Sequence, residues 1–381
     1  MARTTSYKQQ NGSTRWKITG YLGTNPYTKK QIYFRKSGFK TETSAFRAYE
    51  QAVNDLQKNG FQNKKLTTFR QIYEMWLQTY KNTVKESSYV KLKQKFNKHI
   101  LPAFGDKNIN SIEVYEVQQF ANHMRDINTQ YKEYISNVSR IFKFAISQNF
   151  ATRNPVNSIT IPRRKNQSVI SSKINYFDAK QLKSFLAEAQ KNERFEIYAF
   201  FYLMAHTGCR TGEVLGLRYG DIDEHQALKI SRTLTRGEHR RLYLEAPKTS
   251  NSRREIPLDD ETISILNQWH SLQIKLLKIN GETDAGGKQL IFTNEKGQFI
   301  NLFTPRLWMQ RICKHAKLPI LSPHALRHTF ATLLLSQNAN YKMISALLGH
   351  SSVAFTLDTY AGIYQKDKLE TINKLNNLID K

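Results

Sequence analysis

Thr207-Gly208-Cys209-Arg210-Thr211-Gly212-Glu213 is the stretch on which the reading of this chain turns. Three later segments complement it: His324-Ala325-Leu326-Arg327-His328, Leu347-Leu348-Gly349-His350 and Thr356-Leu357-Asp358-Thr359-Tyr360. Together they supply two arginines, two histidines and a tyrosine. That set suits attack on a phosphodiester by a tyrosine hydroxyl, with no metal.

Such a reaction needs a nucleophile, stabilisation of a phosphorane-like transition state and a proton donor for the leaving oxygen. Tyr360 is the candidate nucleophile. A free phenol has a pKa near roughly 10, so a base or nearby positive charge must activate it. Arg210 and Arg327 offer planar forks that bind two non-bridging oxygens and stay charged. His324 and His350 can donate to the phosphate or move protons near neutral pH. Lys248, at the tip of an expected hairpin, can protonate the leaving 5′ oxygen.

Each residue also has a plainer reading. Most tyrosines are core or surface residues. Arg210 can cap a helix or pair with Glu213, three residues on. His324 and His328, four apart, have the spacing of a metal pair on a helix, but Arg327 between them repels a cation and no third ligand is evident. Gly349-His350 can simply end a helix with glycine at its C-cap. The set, taken in order, carries the functional reading.

Charge supplies the partner. The chain has 58 Lys and Arg against 31 Asp and Glu, a net charge of +27, spread along its length. Residues 1–65 hold 13 basic and 3 acidic residues, a net +10. Such an excess attracts polyanions and points to nucleic acid. No apolar run is long enough to span a membrane. The polar N-terminus lacks the apolar core of a secretory signal, so a cytoplasmic location is expected. Cys209 and Cys313 form neither a disulfide framework nor a zinc spacing and read as free thiols.

At 381 residues, two or three domains are expected. Residues 1–65 read as strands and a helix. Arg15-Trp16-Lys17-Ile18-Thr19-Gly20-Tyr21-Leu22 alternates bulky and polar residues, Gln31–Lys36 more loosely, with turn chemistry at Gly23-Thr24-Asn25-Pro26 between them. Thr43 or Ser44 then caps a helix to about Lys58, and Gly60 ends it. A basic sheet of this kind fits a major groove, which makes Arg15, Lys17, Arg35 and Lys36 candidate DNA contacts.

Residues 66–155 read as helices over about 69–82, 87–100, 111–126 and 130–149. Phe69, Ile72, Tyr73 and Trp76 have amphipathic spacing, and Pro102 with Gly105-Asp106 separates the second helix from the third. Lys93 and Arg140 are candidate phosphate contacts there. Residues 156–175 read as a linker, with Arg163 and Arg164 able to reach DNA. Residues 176–381 form the last domain. Asp178-Ala179-Lys180-Gln181 resembles a capping box at its start. Helices follow, then a strand at 227–230, a hairpin with strands 242–246 and 253–258, and helices after Leu302. Leu369, Ile372, Leu375 and Leu378 mark an apolar helix stripe at the C-terminus.

These motifs resemble the catalytic boxes of the tyrosine recombinases, especially phage and mobile-element integrases. Thr207–Glu213 with Leu217 and Asp221-Ile222-Asp223 is similar to the first box. Lys248-Thr249 with Ser252 and Arg254 resembles the lysine box. His324-x-x-Arg327-His328-Thr329 and Leu348-Gly349-His350-Ser351-Ser352 resemble the second and third, and Tyr360 follows His350 by ten residues.

The resemblance implies a multidomain, mainly α fold with small β-sheets. A small sheet plus helix would bind arm-type DNA, a helical bundle would bind core-type DNA, and an α+β domain would be catalytic. It implies strand cleavage and rejoining through a 3′-phosphotyrosine, with no cofactor and with Glu213 in support of the catalytic set. It further implies a homotetramer on double-stranded DNA, integration and excision of a prophage or mobile element, and action alongside a host bending factor and an excisionase. The C-terminal helix would pack on its own domain or dock on a neighbouring subunit. Two competing readings share parts of this pattern. A non-cutting DNA-binding regulator would have no reason to keep Tyr360 and Lys248 together. A type IB topoisomerase shares the chemistry, but the separate basic N-terminal segment favours a recombinase.

Overall fold

The computed structural model describes residues 2–9, 12–24, 31–59, 67–164, 175–247, 252–350, 352–354 and 357. The chain divides into two compact units, Met1–Asn166 and Gln167–Lys381. Among the described residues no helix is long and apolar enough to cross a membrane.

The first unit begins with an antiparallel sheet of β1 (Arg3–Lys8), β2 (Thr14–Thr24) and β3 (Gln31–Phe39), in that order. The sequence foretold β2 and β3. The polar β1 is added by pairing with β2 from Arg3 opposite Thr19 to Lys8 opposite Thr14. Helix α1 (Glu42–Asn59) packs on one sheet face, where Ile18 and Ala45 are buried. Gly20 is required there: a Cβ would lie 2.3 Å from the Tyr49 ring, whose hydroxyl donates to the Tyr21 carbonyl at 2.7 Å. Thr41 starts α1, not Thr43 or Ser44. Its Oγ1 accepts from the Ser44 amide at 3.2 Å, and Ser44 Oγ accepts from the Thr41 amide. The expected stop at Gly60 lies outside the described residues.

Alternation along β2 and β3 sorts the expected DNA contacts. Arg15, Lys17, Thr19 and Tyr21 share the face opposite the helix, joined by Arg35 across from Thr19 and Tyr33 across from Tyr21. Lys36 pairs with Ile18 and so belongs to the helix side. The sequence grouped these four basic residues; the sheet register separates Lys36 from the rest.

The same unit holds a helical bundle: α2 (Phe69–Lys81), α3 (Glu86–Lys95), α4 (Leu101–Phe104), α5 (Val114–Ile127) and α6 (Tyr131–Ser147). Thr68 and Gln71 cap α2 reciprocally, and Phe69, Ile72, Tyr73 and Leu77 bury its apolar stripe. Trp76 stacks on Tyr80 at the margin of that core. A π turn, Phe96–Ile100, joins α3 to α4, with the Leu101 amide donating to the Phe96 carbonyl. Pro102 therefore sits in the first turn of α4 and does not end the helical run at that point. The described part of the expected linker, residues 156–164, packs on this bundle. Thr160 exchanges hydrogen bonds with Gln118, Tyr131 Oη donates to the Pro162 carbonyl at 2.7 Å, and Arg164 donates twice to the Arg125 carbonyl. These polar contacts leave no mark in hydrophobic periodicity. The rest of that stretch, 165–174, is outside the described residues.

The second unit starts with α7 (Ala179–Asn192), where Asp178 and Gln181 form the foretold capping box. Helix α8 (Phe195–Thr207) is buried on nearly every side and forms the centre of a core with Phe185, Phe292, Trp308 and Ile312. Next come α9 (Thr211–Val214), β4 (Ala227–Ile230), β5 (Thr233–Arg236), β6 (Leu242–Glu245), β7 (Arg254–Pro257), α10 (Asp260–Ile279), α11 (Thr304–His315), α12 (His324–Ser336) and α13 (Tyr341–Leu348). The strands correct one expectation. β6 and β7 are not hairpin partners: β6 pairs with β5, and β7 pairs with β4. The hairpin turn is at 237–241, where His239 and Arg240 take left-handed φ of 54° and 62° and the Gly237 amide donates to the Arg241 carbonyl. Histidine and arginine are not turn signals, which hid both the turn and β5. Helix α10, capped by Asp259 through the Thr262 amide, was also not foreseen.

Candidate active site

The first box is shaped by a helix end. α8 stops at Gly208, whose φ of +62° is left-handed, the region that favours glycine. A Cβ there would lie 2.6 Å from the Phe330 ring and 2.9 Å from Leu348, so the glycine lets α12 and α13 close on the turn. Cys209 is buried behind it, and burial pushes its thiol up to about 11. Arg210 then starts the short helix α9.

Arg327 lies on α12 with 2% of its surface exposed. Its Nη1 donates to the Gly208 carbonyl at 3.0 Å and its Nη2 to the Leu348 carbonyl at 2.7 Å. One guanidinium thus ties the first box to the third. Burial, then the positive charge of Arg210, bring its pKa down to about 10, so it remains charged at neutral pH.

Glu213 makes the second tie. Its carboxylate accepts from Arg210 Nη1 at 2.7 Å, from the Arg210 amide at 2.9 Å and from Arg254 Nη2 at 2.8 Å. Burial pushes this acid up, but the Arg254 hydrogen bond and the charges of Arg254 and Arg210 outweigh it and hold it at about 2. Arg254 also donates through Nε to the Leu347 carbonyl at 2.6 Å, beside the third box. The Arg210–Glu213 pairing offered above as a plain reading is therefore real. It holds a guanidinium whose side chain keeps 40% of its surface exposed.

The histidines take their character from these cations. His324 opens α12, and its ring lies edge-on to His328 at 4.9 Å. Burial, then His328, Arg327 and Arg210, lower it to about 4. His350 follows the left-handed C-cap Gly349, and its amide donates to the Ser345 carbonyl at 3.1 Å. Burial, then Arg327, Arg210 and Arg254, lower it to about 3. Both are neutral at pH 7 in the DNA-free chain, so each can donate through one ring N–H and accept a proton at the other nitrogen. Among the described residues no three His, Cys, Asp or Glu side chains gather as a metal set.

Of the expected catalytic residues, the structure brings together Arg210, His324, Arg327 and His350, with Glu213 in support. Lys248 and Tyr360 lie outside the described residues, as does the apolar stripe of the C-terminal tail. Arg254 is the residue whose role went unread, although it appears in the lysine-box motif. Its signal was alternation: Arg254 shares a strand face with buried Ile256 and Leu258, and a buried arginine requires an acid. In the first unit, Lys93 lies over the Tyr89 ring at 5.8 Å, Arg140 donates to Asn137 at 3.3 Å, and Arg163 is exposed. Arg164 is occupied by the Arg125 carbonyl, a structural role that the sequence did not suggest. The second unit also has a cavity of about 480 Å³ lined by Glu196, Trp269 and Trp308, but none of the expected catalytic residues lines it.

Residues 175–366 match the phage integrase family, and residues 68–125 match the N-terminal SAM-like domain of phage integrases. The chain belongs to the phage integrase family. It is a tyrosine recombinase, an enzyme that cleaves and rejoins DNA at specific sites through a tyrosine. It is 27% identical to a XerC-like tyrosine recombinase of Caldanaerobacter subterraneus subsp. tengcongensis, over 99% of this chain and 100% of that one. It is 23% identical to the ICEBs1 integrase of Bacillus subtilis, over 98% and 99% of the two chains. Its fold is similar to that of the Tn1549 transposon integrase in complex with transposon right end DNA. The TM-score is 0.64 at 21% identity, covering 77% of this chain and 95% of that one. A lambda integrase tetramer bound to a Holliday junction gives a TM-score of 0.56 at 19% identity, over 91% and 95%.

Proposed function

We propose that this chain integrates and excises a prophage or conjugative element, with Tyr360 as nucleophile and Arg210, Lys248, His324, Arg327 and His350 as its catalytic partners. The carrying observation is the pair of arginine ties. Arg327 bridges Gly208 and Leu348, and Arg254 bridges Glu213 and Leu347, so three boxes distant in sequence converge on one cationic pocket. In this reading Tyr360 Oη attacks the scissile phosphorus, and its proton passes to a neutral histidine. The P–O5′ bond breaks, and Lys248 Nζ protonates the leaving 5′ oxygen. The 3′-phosphotyrosine keeps the bond energy until a 5′ hydroxyl from a partner duplex attacks and releases the tyrosine. Arg210 and Arg327 stabilise the transition-state charge, where losing one such donor costs about 10²–10³ in rate.

Residues 1–65 serve as the arm-type DNA-binding domain in this reading, through the sheet face bearing Arg15, Lys17 and Arg35. Residues 66–155 bind core-type DNA, and 176–381 are catalytic. The tetramer seen for lambda integrase supports a homotetramer on DNA for this chain. A bending factor and an excisionase would set direction, and the setting is the bacterial cytoplasm. A nicked suicide duplex tests the core of the proposal. Wild type should yield a covalent adduct that survives denaturant and EDTA, and Tyr360→Phe should bind DNA without forming it. An adduct with Tyr360→Phe, or a strict divalent-metal requirement, refutes the assignment.

A further inference from the structure

Beside the third box, lined in part by Arg254, lies a second cavity, of about 400 Å³. One wall is a face of α13, where Lys342, Ser345, Ala346 and Gly349 follow the helical spacing i, i+3, i+4, i+7. Arg253, Arg254, His350 and Ser352 also line the cavity. Among the described residues no Asp or Glu lines it. Arg254 is already committed to Glu213 and the Leu347 carbonyl. Arg253 and Lys342 differ: both are exposed, and neither makes an ion pair among the described residues. The Lys342 amide donates to Asn340 Oδ1 at 2.8 Å, so the start of α13 is capped by the protein itself.

We propose that this cleft seats a non-scissile backbone phosphate of the bound DNA, held by Arg253 and Lys342. It rests on the reading of the neighbouring pocket as the recombinase active site. Arg253 and Arg254 are successive residues at the entry to β7, and only the second is drawn to Glu213. Arg254 is held by Glu213, whereas Arg253, just before the strand, is exposed and lines the cleft. A phosphate fixed here would orient the duplex against His350, which lines the same cavity. Arg253 and Lys342 act as positioning residues, since neither need touch the reacting atoms.

The test uses the full-length chain and duplex DNA containing the cleavage site, with affinity measured across a salt series. Lys342→Gln and Arg253→Gln should each flatten the plot of log K against log salt by about 0.9. Exposed Lys278→Gln on α10 should leave the slope unchanged, and Arg253→Lys should restore most of it. Replacing single phosphates by neutral methylphosphonates should reveal one position beside the cleaved one that weakens wild-type binding. Lys342→Gln should lose nothing further at that position. Unchanged slopes in both Gln variants, or no such phosphate, overturn the inference. Covalent trapping of wild type on the suicide duplex reports separately on the recombinase reading, so the two can fail independently. Thermal melts of the variants should match wild type, because both side chains are exposed.

Discussion

Replacing Glu213 by Gln should uncouple the two arginines it holds. Glu213 is 4% exposed and sits at about 2 against an ordinary 4.5. At roughly 1.36 kcal/mol per unit of pKa, that gap corresponds to about 3 kcal/mol of folding stability. The sign follows from the direction: a depressed acid stabilises the fold above pH 4.5 and loses that contribution as pH falls toward 2. Glu213→Gln also leaves the Arg254 side chain, 5% exposed, without an anion, which typically costs about 3–5 kcal/mol. The two routes agree on a loss of about 3 kcal/mol at pH 7. Urea titration read by tryptophan fluorescence measures it, because Trp269 and Trp308 are buried in the same unit. The wild-type minus variant difference removes the signal from Trp16 and Trp76 in the first unit. The difference should shrink steadily between pH 4.5 and 2. A variant within about 0.5 kcal/mol of wild type at pH 7, the scatter of ordinary surface changes, would show that Glu213 is not the anion on which Arg254 depends. So would a difference that does not depend on pH.

Other outcomes follow from the same site. Gly208→Ala combines a left-handed φ with a Cβ contact at 2.6 Å, and should cost about 1–3 kcal/mol by thermal or urea denaturation; a neutral result would show that the turn relaxes freely. His350, lowered to about 3, makes wild type lose stability as pH falls below 6.5. His350→Gln should therefore narrow any deficit relative to wild type between pH 7 and 4, and an NMR titration of His350 near 6.5 would contradict the buried, cation-flanked setting. Deleting residues 1–60 should spare cleavage at the crossover site and abolish integration, and unaltered integration would remove the arm-binding role of the sheet.

Much of the fold was legible because the bundle helices carry strong periodicity. Phe69, Ile72 and Tyr73 bury the stripe their spacing foretold. What stayed hidden has identifiable causes. β1 has no apolar alternation and exists through its pairing with β2. The turn at His239 and Arg240 uses residues that do not announce left-handed backbone. The packing of 156–164 on the bundle, through side chain to backbone hydrogen bonds together with Val156 and Ile159, was not legible because the segment has no helical or strand periodicity.

Residue types and their order, from Arg210 through His324, Arg327 and His350, were enough to suggest the chemistry, since forked cations and titratable rings act by identity. How those groups are held and charged came from the fold. Whether Arg327 faces a carbonyl, whether Glu213 ionises and which face of β3 bears Lys36 all depend on partners far away in sequence or on strand register. The first box supplied an arginine and an acid. The burial of Glu213 against Arg254, 41 residues later, turned them into a fixed charge network.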